Sequence, residues 1–208
     1  MKTQRWMLPL GMIAVLSFLL LTILGKFLWP GYNPISSYIS ELIADENPHV
    51  HLMRTFMNIY TICFCLFIFS IAVHAFRTYH VSSKIGYTML FVVAFLSVIG
   101  YGSVPISMDF IFSANDIFHF IVTICILLIT ILAMIFIAVG YLRQEHLNTM
   151  GKISLTAGIL FILFNAYHIV AIVTGQNILG LIQRLTFYSF HAFTFSISWI
   201  YTFKSNRW

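Results

Sequence analysis

Few side chains in this sequence can do chemistry, and those that can fall at related depths. Arg54, Asn58, Asp116, His119, Asn165, His168, Arg184, Tyr188 and His191 all lie within or at the edges of long apolar runs. An ionised group at the centre of a bilayer costs roughly 2.5–3.5 kcal/mol on insertion scales, so such residues face a cavity or a partner. Counted inward from the outer helix ends at about 1.5 Å per residue, Arg54, Asp116, His119 and Arg184 fall in the first turn. His168 and Asn165 fall one to two turns down, and His191 nearly halfway. The spacings are coherent: Asp116 and His119 are three apart, as are Asn165 and His168, and Arg184, Tyr188 and His191 share one helical face.

Several chemistries fit these residue types. His119, His168 and His191 offer three imidazoles for a zinc ion, with Asp116 or Glu41 positioning a water, the arrangement a membrane-embedded lipid hydrolase or transferase requires. The deeper position of His191 works against a single metal point, since zinc needs its nitrogens within about 2.1 Å. Ser40 or Ser113 with His119 and Asp116 would make a nucleophilic set, although nothing in the spacing guarantees a hydrogen-bonded line. His168 and His191 as haem ligands share the depth problem. The binding alternative uses Arg184 and Arg54, partly neutralised by Glu41 and Asp116, to hold the phosphate or carboxylate of a lipid headgroup or small anion. Asn58, His119, His168 and Tyr188 would line that site. Its structural counterpart pairs Arg54 with Glu41 and Arg184 with Asp116 only to knit a loop to the bundle.

The expectation from these residues is an outward-facing polar site that binds a membrane lipid headgroup or small anionic ligand, with no cofactor required. A zinc enzyme acting on lipid is the alternative, and the sequence does not settle whether the chain is catalytic or how it oligomerises.

Helices must position these groups. Sixty per cent of the 208 residues are hydrophobic and 8% charged, against roughly a quarter charged in soluble domains, so the chain reads as an integral membrane protein. Six continuous apolar runs, 6–29, 53–76, 85–104, 117–139, 153–173 and 181–203, each approach the ~20 residues that span a bilayer as a helix. The expected fold is a single all-α, six-transmembrane-helix bundle, with a short amphipathic helix in the first outer loop.

Eight of eleven Lys and Arg residues (Lys2, Arg5, Arg77, Lys84, Arg143, Lys152, Lys204, Arg207) fall on one side. The bias predicts both termini in the cytoplasm of a bacterial cell and a plasma-membrane location, and makes the net charge of +5 a property of the inner face rather than a nucleic-acid surface. Cys63, Cys65 and Cys125 lie inside apolar runs, so no disulfide framework is expected. The inner helix halves look nearly free of polar residues, which counts against a transporter.

The one long interruption is Gly31 to Arg54, GYNPISSYISELIADENPHVHLMR. Ile35, Ile39, Leu42 and Ile43 fall on one helical stripe, predicting an interfacial helix that closes over the site. Its Ser40–Glu41 segment should reach the outer ends of the fourth and sixth helices.

The run YNPISSYISEL after the first helix, Pro48, Met57–Asn58, Pro105, the Asp116–His119 segment and GLIQRL before the last helix together resemble a bacterial membrane family, "domain of unknown function 998". The anchors of the resemblance are Ser40 with Leu42, His119, Gly180 and Arg184. Gln183 stands where that pattern usually has an acidic residue, and a Phe-Pro after the third helix is missing. The resemblance implies a six-helix inner-membrane protein and no particular reaction.

Overall fold

The computed structural model describes the backbone of residues 2–102 and 114–203, with side chains over 5–98 and 117–203. Ser113 and Pro105 lie outside the described residues, as does the side chain of Asp116.

Among the described residues six α-helices form: α1 Leu10–Leu28, α2 Val50–Thr78, α3 Val81–Gly102, α4 Ala114–Leu142, α5 Asn148–Val173 and α6 Leu179–Phe203. Each packs on its neighbour in sequence and α6 returns to pack on α1, so the helices form a closed ring in chain order. Tight turns enforce this path, since α2 and α3 are separated only by Tyr79 and His80 and adjacent helices joined so briefly run antiparallel. The start of α1 and the end of α6 therefore meet at one end of the bundle, where the Ser198 hydroxyl donates to Leu8 O at 2.6 Å and accepts from Met12 N at 3.0 Å. Gly11 permits that approach: a Cβ there would stand 2.7 Å from Ser198 Cβ.

The core is aromatic and aliphatic and draws on all six helices, with Phe64, Phe67, Phe161 and Phe193 almost fully buried among Ala14, Ile68, Leu90, Ala133 and Ile137. Large apolar side chains cover the outside, among them Leu16, Ile62, Phe95, Leu128, Leu163 and Ile169. A surface of that kind is stable in lipid and not in water.

Among the described residues five helices are long and apolar enough to cross a membrane: the stretches Arg5–Leu28, Val50–Thr78, Val81–Val98, Ile117–Leu142 and Glu145–Val173. The expected count of six is not reached on this criterion, because α6 is long enough but too polar. Its polar residues point inward: Arg184, Thr186, Ser189, His191, Thr194 and Ser198 are buried, while Leu181, Leu185, Trp199 and Phe203 face out. Averaging over the helix hides an apolar exterior behind a polar interior.

The expected amphipathic helix is a single 3-10 turn, Ile39–Ile43. Its apolar face turns into the protein rather than onto a membrane surface: Ile39, Leu42 and Ile43 are buried with Phe18, Leu21, Tyr32, Met53 and Met57. Ile35 departs from the stripe and is exposed. Leu42 fits a notch on α1 at Gly25, where a Cβ would come within 2.6 Å of its Cδ2.

Candidate functional site

The first loop is folded and fastened. Asn33 Oδ1 accepts from Ile35 N at 3.0 Å and Asn33 O accepts from Ser37 N at 2.7 Å, fixing a turn at Pro34. Tyr32 folds under it, with its carbonyl taking a bond from Lys26 Nζ at 3.3 Å and its hydroxyl donating to Tyr38 O at 2.9 Å. At the far side, the buried Asn47 donates to Leu42 O at 2.6 Å and accepts from His49 N at 2.8 Å, which leads the chain into α2.

Arg184, in the second turn of α6, is the anchor. Its Nη1 donates to Pro34 O at 2.7 Å, Ser37 O at 3.0 Å and Gly180 O at 2.9 Å, and its Nη2 donates to the Tyr32 hydroxyl. The guanidinium is also 5.3 Å from the centroid of the Tyr32 ring. Among the described residues no carboxylate pairs with it; Asp45 pairs instead with Arg54, at 2.8 Å. Burial drives the Tyr32 phenol up to about 12, against the opposing pull of Arg184. Two further bonds stitch the loop to α6, Leu181 N to Ile35 O at 2.9 Å and Ile39 N to Gln183 Oε1 at 2.7 Å.

Of the two contacts expected for the Ser40–Glu41 turn, the one with α6 is present, alongside contacts to α1 and α2, whereas no comparable packing against α4 is seen among the described residues. The pairing foreseen for Arg54 differs, and that of Arg184 with Asp116 falls on a side chain outside the described residues. Arg54 meets Asp45 and Ile43 O rather than Glu41, and Glu41 caps its own turn by accepting from Tyr38 N at 2.7 Å. A short 3-10 turn brings Glu41 back onto Tyr38 and leaves the next carboxylate, Asp45, for α2.

Other residues singled out from the sequence are spread around the half of the bundle that carries the first loop. Tyr188 shares a hydrogen bond with Thr22 of α1 at 3.1 Å. His168 stacks on Tyr38 with ring centroids 5.8 Å apart and an interplanar angle of 8°. Asn165 donates to Phe161 O at 2.8 Å. His119 is buried, Ser40 is half-buried, and Asn58 is exposed on α2. Among the described residues no three His, Cys, Asp or Glu side chains stand together as a metal site requires.

His191 occupies the most enclosed position. Its Nδ1–H donates to Phe187 O at 2.6 Å, which fixes the tautomer, and its buried Nε2 meets no hydrogen-bond partner among the described residues. Phe18 stacks on the imidazole at 4.2 Å, and Tyr60, Phe190 and Phe187 close around it at 5.2, 5.8 and 6.4 Å.

The opposite end of the bundle holds polar residues that the sequence reading missed. Tyr87, Tyr141 and Tyr201 are buried and linked through their hydroxyls, at 2.6 Å and 3.1 Å, with Tyr79 packed against Tyr141. They come from α3, α4, α6 and the α2–α3 turn, so no local spacing announces them.

These features define an all-α, multi-pass membrane protein with a latched first loop and an inward-facing polar stripe on its last helix. The chain belongs to the family described as "Protein of unknown function (DUF998)", whose model matches residues 12–200. No curated protein and no solved structure matches it.

Proposed function

We propose that the protein binds a membrane amphiphile through its polar headgroup, in the outer half of the bundle beneath the first loop. The observation that carries the reading is His191. Its fixed tautomer presents a lone-pair acceptor, and leaving such a group unpartnered in a low-dielectric interior costs roughly 1–3 kcal/mol. An acceptor calls for a donor, so the reading favours a hydroxyl-bearing headgroup over the anion that free arginines would hold. Arg184 is committed to the loop and Arg54 to Asp45. The aromatic cover over His191 is packed, and the half-buried Tyr60 is the ring a headgroup would displace.

In this reading α6 is the sixth span, with its polar side turned inward, and the end bearing both chain termini faces the cytoplasm of a bacterial plasma membrane. Arg5, Arg77, Lys84, Arg143 and Lys152, which lie at that end among the described residues, support the orientation. His168 and Tyr38, stacked where the loop meets α5, would border the entrance.

Purified protein in neutral detergent tests the proposal through its thermal midpoint. A glycosyl diacylglycerol should raise the midpoint saturably and phosphatidylcholine, which lacks a headgroup hydroxyl, should not. His191→Phe, which preserves the aromatic packing, should abolish the difference. Equal shifts with both lipids, or a shift that survives His191→Phe, would overturn the proposal.

A further inference from the structure

We propose that two turns at the termini end of the bundle form a surface docking site for the phosphate of an anionic phospholipid, separate from the His191 site. The turns are braced against each other. His80 N, between α2 and α3, donates to Gln144 Oε1 at 3.0 Å, and Gln144 Nε2, just beyond α4, donates to Thr78 O at 3.5 Å. Beside this brace Ser83 of α3 lies so close to Gly140 of α4 that a Cβ at Gly140 would collide with Ser83 Oγ.

The brace gathers positive charge. Arg77 directly precedes Thr78, Lys84 directly follows Ser83 and Arg143 directly precedes Gln144, so each cation sits beside a residue that joins the two turns. Arg77 and Arg143 are exposed and Lys84 is half-buried. Among the described residues no carboxylate pairs with any of the three, the exposed Glu145 included. His80 adds a further donor: Ser82 N donates to its Nδ1 at 3.2 Å, which leaves the ring proton on Nε2.

What flanks the cations selects the partner. Phe76, Ile85 and Leu142, the neighbours of Arg77, Lys84 and Arg143 on the helix side of each, are large, apolar and exposed. A soluble phosphate compound would use the cations alone. A phospholipid uses both, with its phosphate on the guanidinium groups, whose donors suit a bidentate grip, and its acyl chains along Phe76, Ile85 and Leu142. General attraction to a charged bilayer surface reaches every basic residue at this end, whereas the Gln144 brace holds the backbones of these three together.

The test titrates the purified full chain in neutral detergent with phosphatidic acid, which presents an open phosphate, and with phosphatidylcholine, whose phosphate is masked by choline. Phosphatidic acid should raise the thermal midpoint saturably and phosphatidylcholine should not. Arg77→Gln and Arg143→Gln should each weaken the apparent affinity about fivefold, the effect of one cation near a lipid surface. Gln144→Ala removes no charge and should weaken it too, because it frees the two turns from each other. An affinity unchanged in Gln144→Ala would overturn the proposal in favour of diffuse charge attraction. One unchanged in the Arg77→Gln/Arg143→Gln double variant would overturn it as well, since the lipid would then sit elsewhere. Inorganic phosphate that matches phosphatidic acid at equal concentration would overturn the lipid as occupant. His191→Phe should leave the phosphatidic acid response intact.

Discussion

Arg184 and Pro34, 150 residues apart in the chain, are joined by a 2.7 Å hydrogen bond from a buried guanidinium to a loop carbonyl. Among the described residues carbonyl oxygens, and no carboxylate, hold this guanidinium, and the loop's shape depends on them. Arg184→Ala would strip its donor from Pro34 O and leave Ser37 O and the Tyr32 hydroxyl with only their mutual contact and the Tyr32 bond to Tyr38 O; a buried polar group left unpaired costs on the order of 1–3 kcal/mol. The expected outcome is a loop that proteases cut between residues 31 and 49 under conditions where the wild type resists. Arg184→Lys keeps the charge but not the fork of donors, and should fall between the two. Equal protease resistance in Arg184→Ala would show that the latch is dispensable.

Gly180 and Gly158 make a matched pair. A Cβ at Gly180 would lie 2.1 Å from Ser37 O and 2.9 Å from Pro34 O, both backbone atoms that cannot step aside without moving the loop. Gly180→Ala should therefore destabilise by about 1–3 kcal/mol, as overpacking does. A Cβ at Gly158 meets only Met134 Cβ, at an ordinary 3.5 Å. Gly158→Ala should stabilise by roughly 0.5–1 kcal/mol through helix propensity alone. Thermal midpoints of the two variants should move in opposite directions.

The Arg54–Asp45 pair is exposed enough to be screened, with side chains 37% and 69% accessible. Asp45→Asn should cost less than about 1 kcal/mol, and the difference from wild type should shrink in high salt. A loss comparable to that of Arg184→Ala would mean that the pair, and not the carbonyl latch, fastens the loop.

Tyr32 gives the latch a pH limit. Its phenol ordinarily ionises near 10, and burial raises it to about 12 in the folded protein. The folded state thus holds this proton more tightly than the unfolded state does. The stability it contributes is intact below pH 10 and is lost progressively as the pH rises through about 12. Wild type should weaken across that window, and Tyr32→Phe, already lacking the hydroxyl, should lose less there, as read from unfolding midpoints at pH 9 and 11.5.

All six helices were legible as continuous apolar runs, because outward apolar residues dominate them. The run 181–203 nevertheless falls short of the apolarity of the other five, because Arg184, His191 and Ser198 face inward on a helix whose outward side is Leu181, Leu185 and Trp199. The fastening of the loop to α6 was legible in outline from the depths of Glu41 and Arg184. Its chemistry was not, since a search for opposite charges overlooks backbone carbonyls, and Arg184 uses Pro34, Ser37 and Gly180. The tyrosine cluster was hidden by distance along the chain: Tyr87 and Tyr141 are 54 residues apart, Tyr141 and Tyr201 60.

The 2.6 Å bond from Ser198 to Leu8 O means that the order of insertion and the order around the ring are separate properties. A short linker from Phe203 back to Arg5 could join the ends, and the exposed turn at Arg143–His146, on the same side of the bundle, could be opened instead. Such a circular permutant would thread α5 first and α4 last, yet should close into the same ring. If it folds, the seam between α1 and α6 is equivalent to any covalent turn, and the point where the chain starts is an accident of its history.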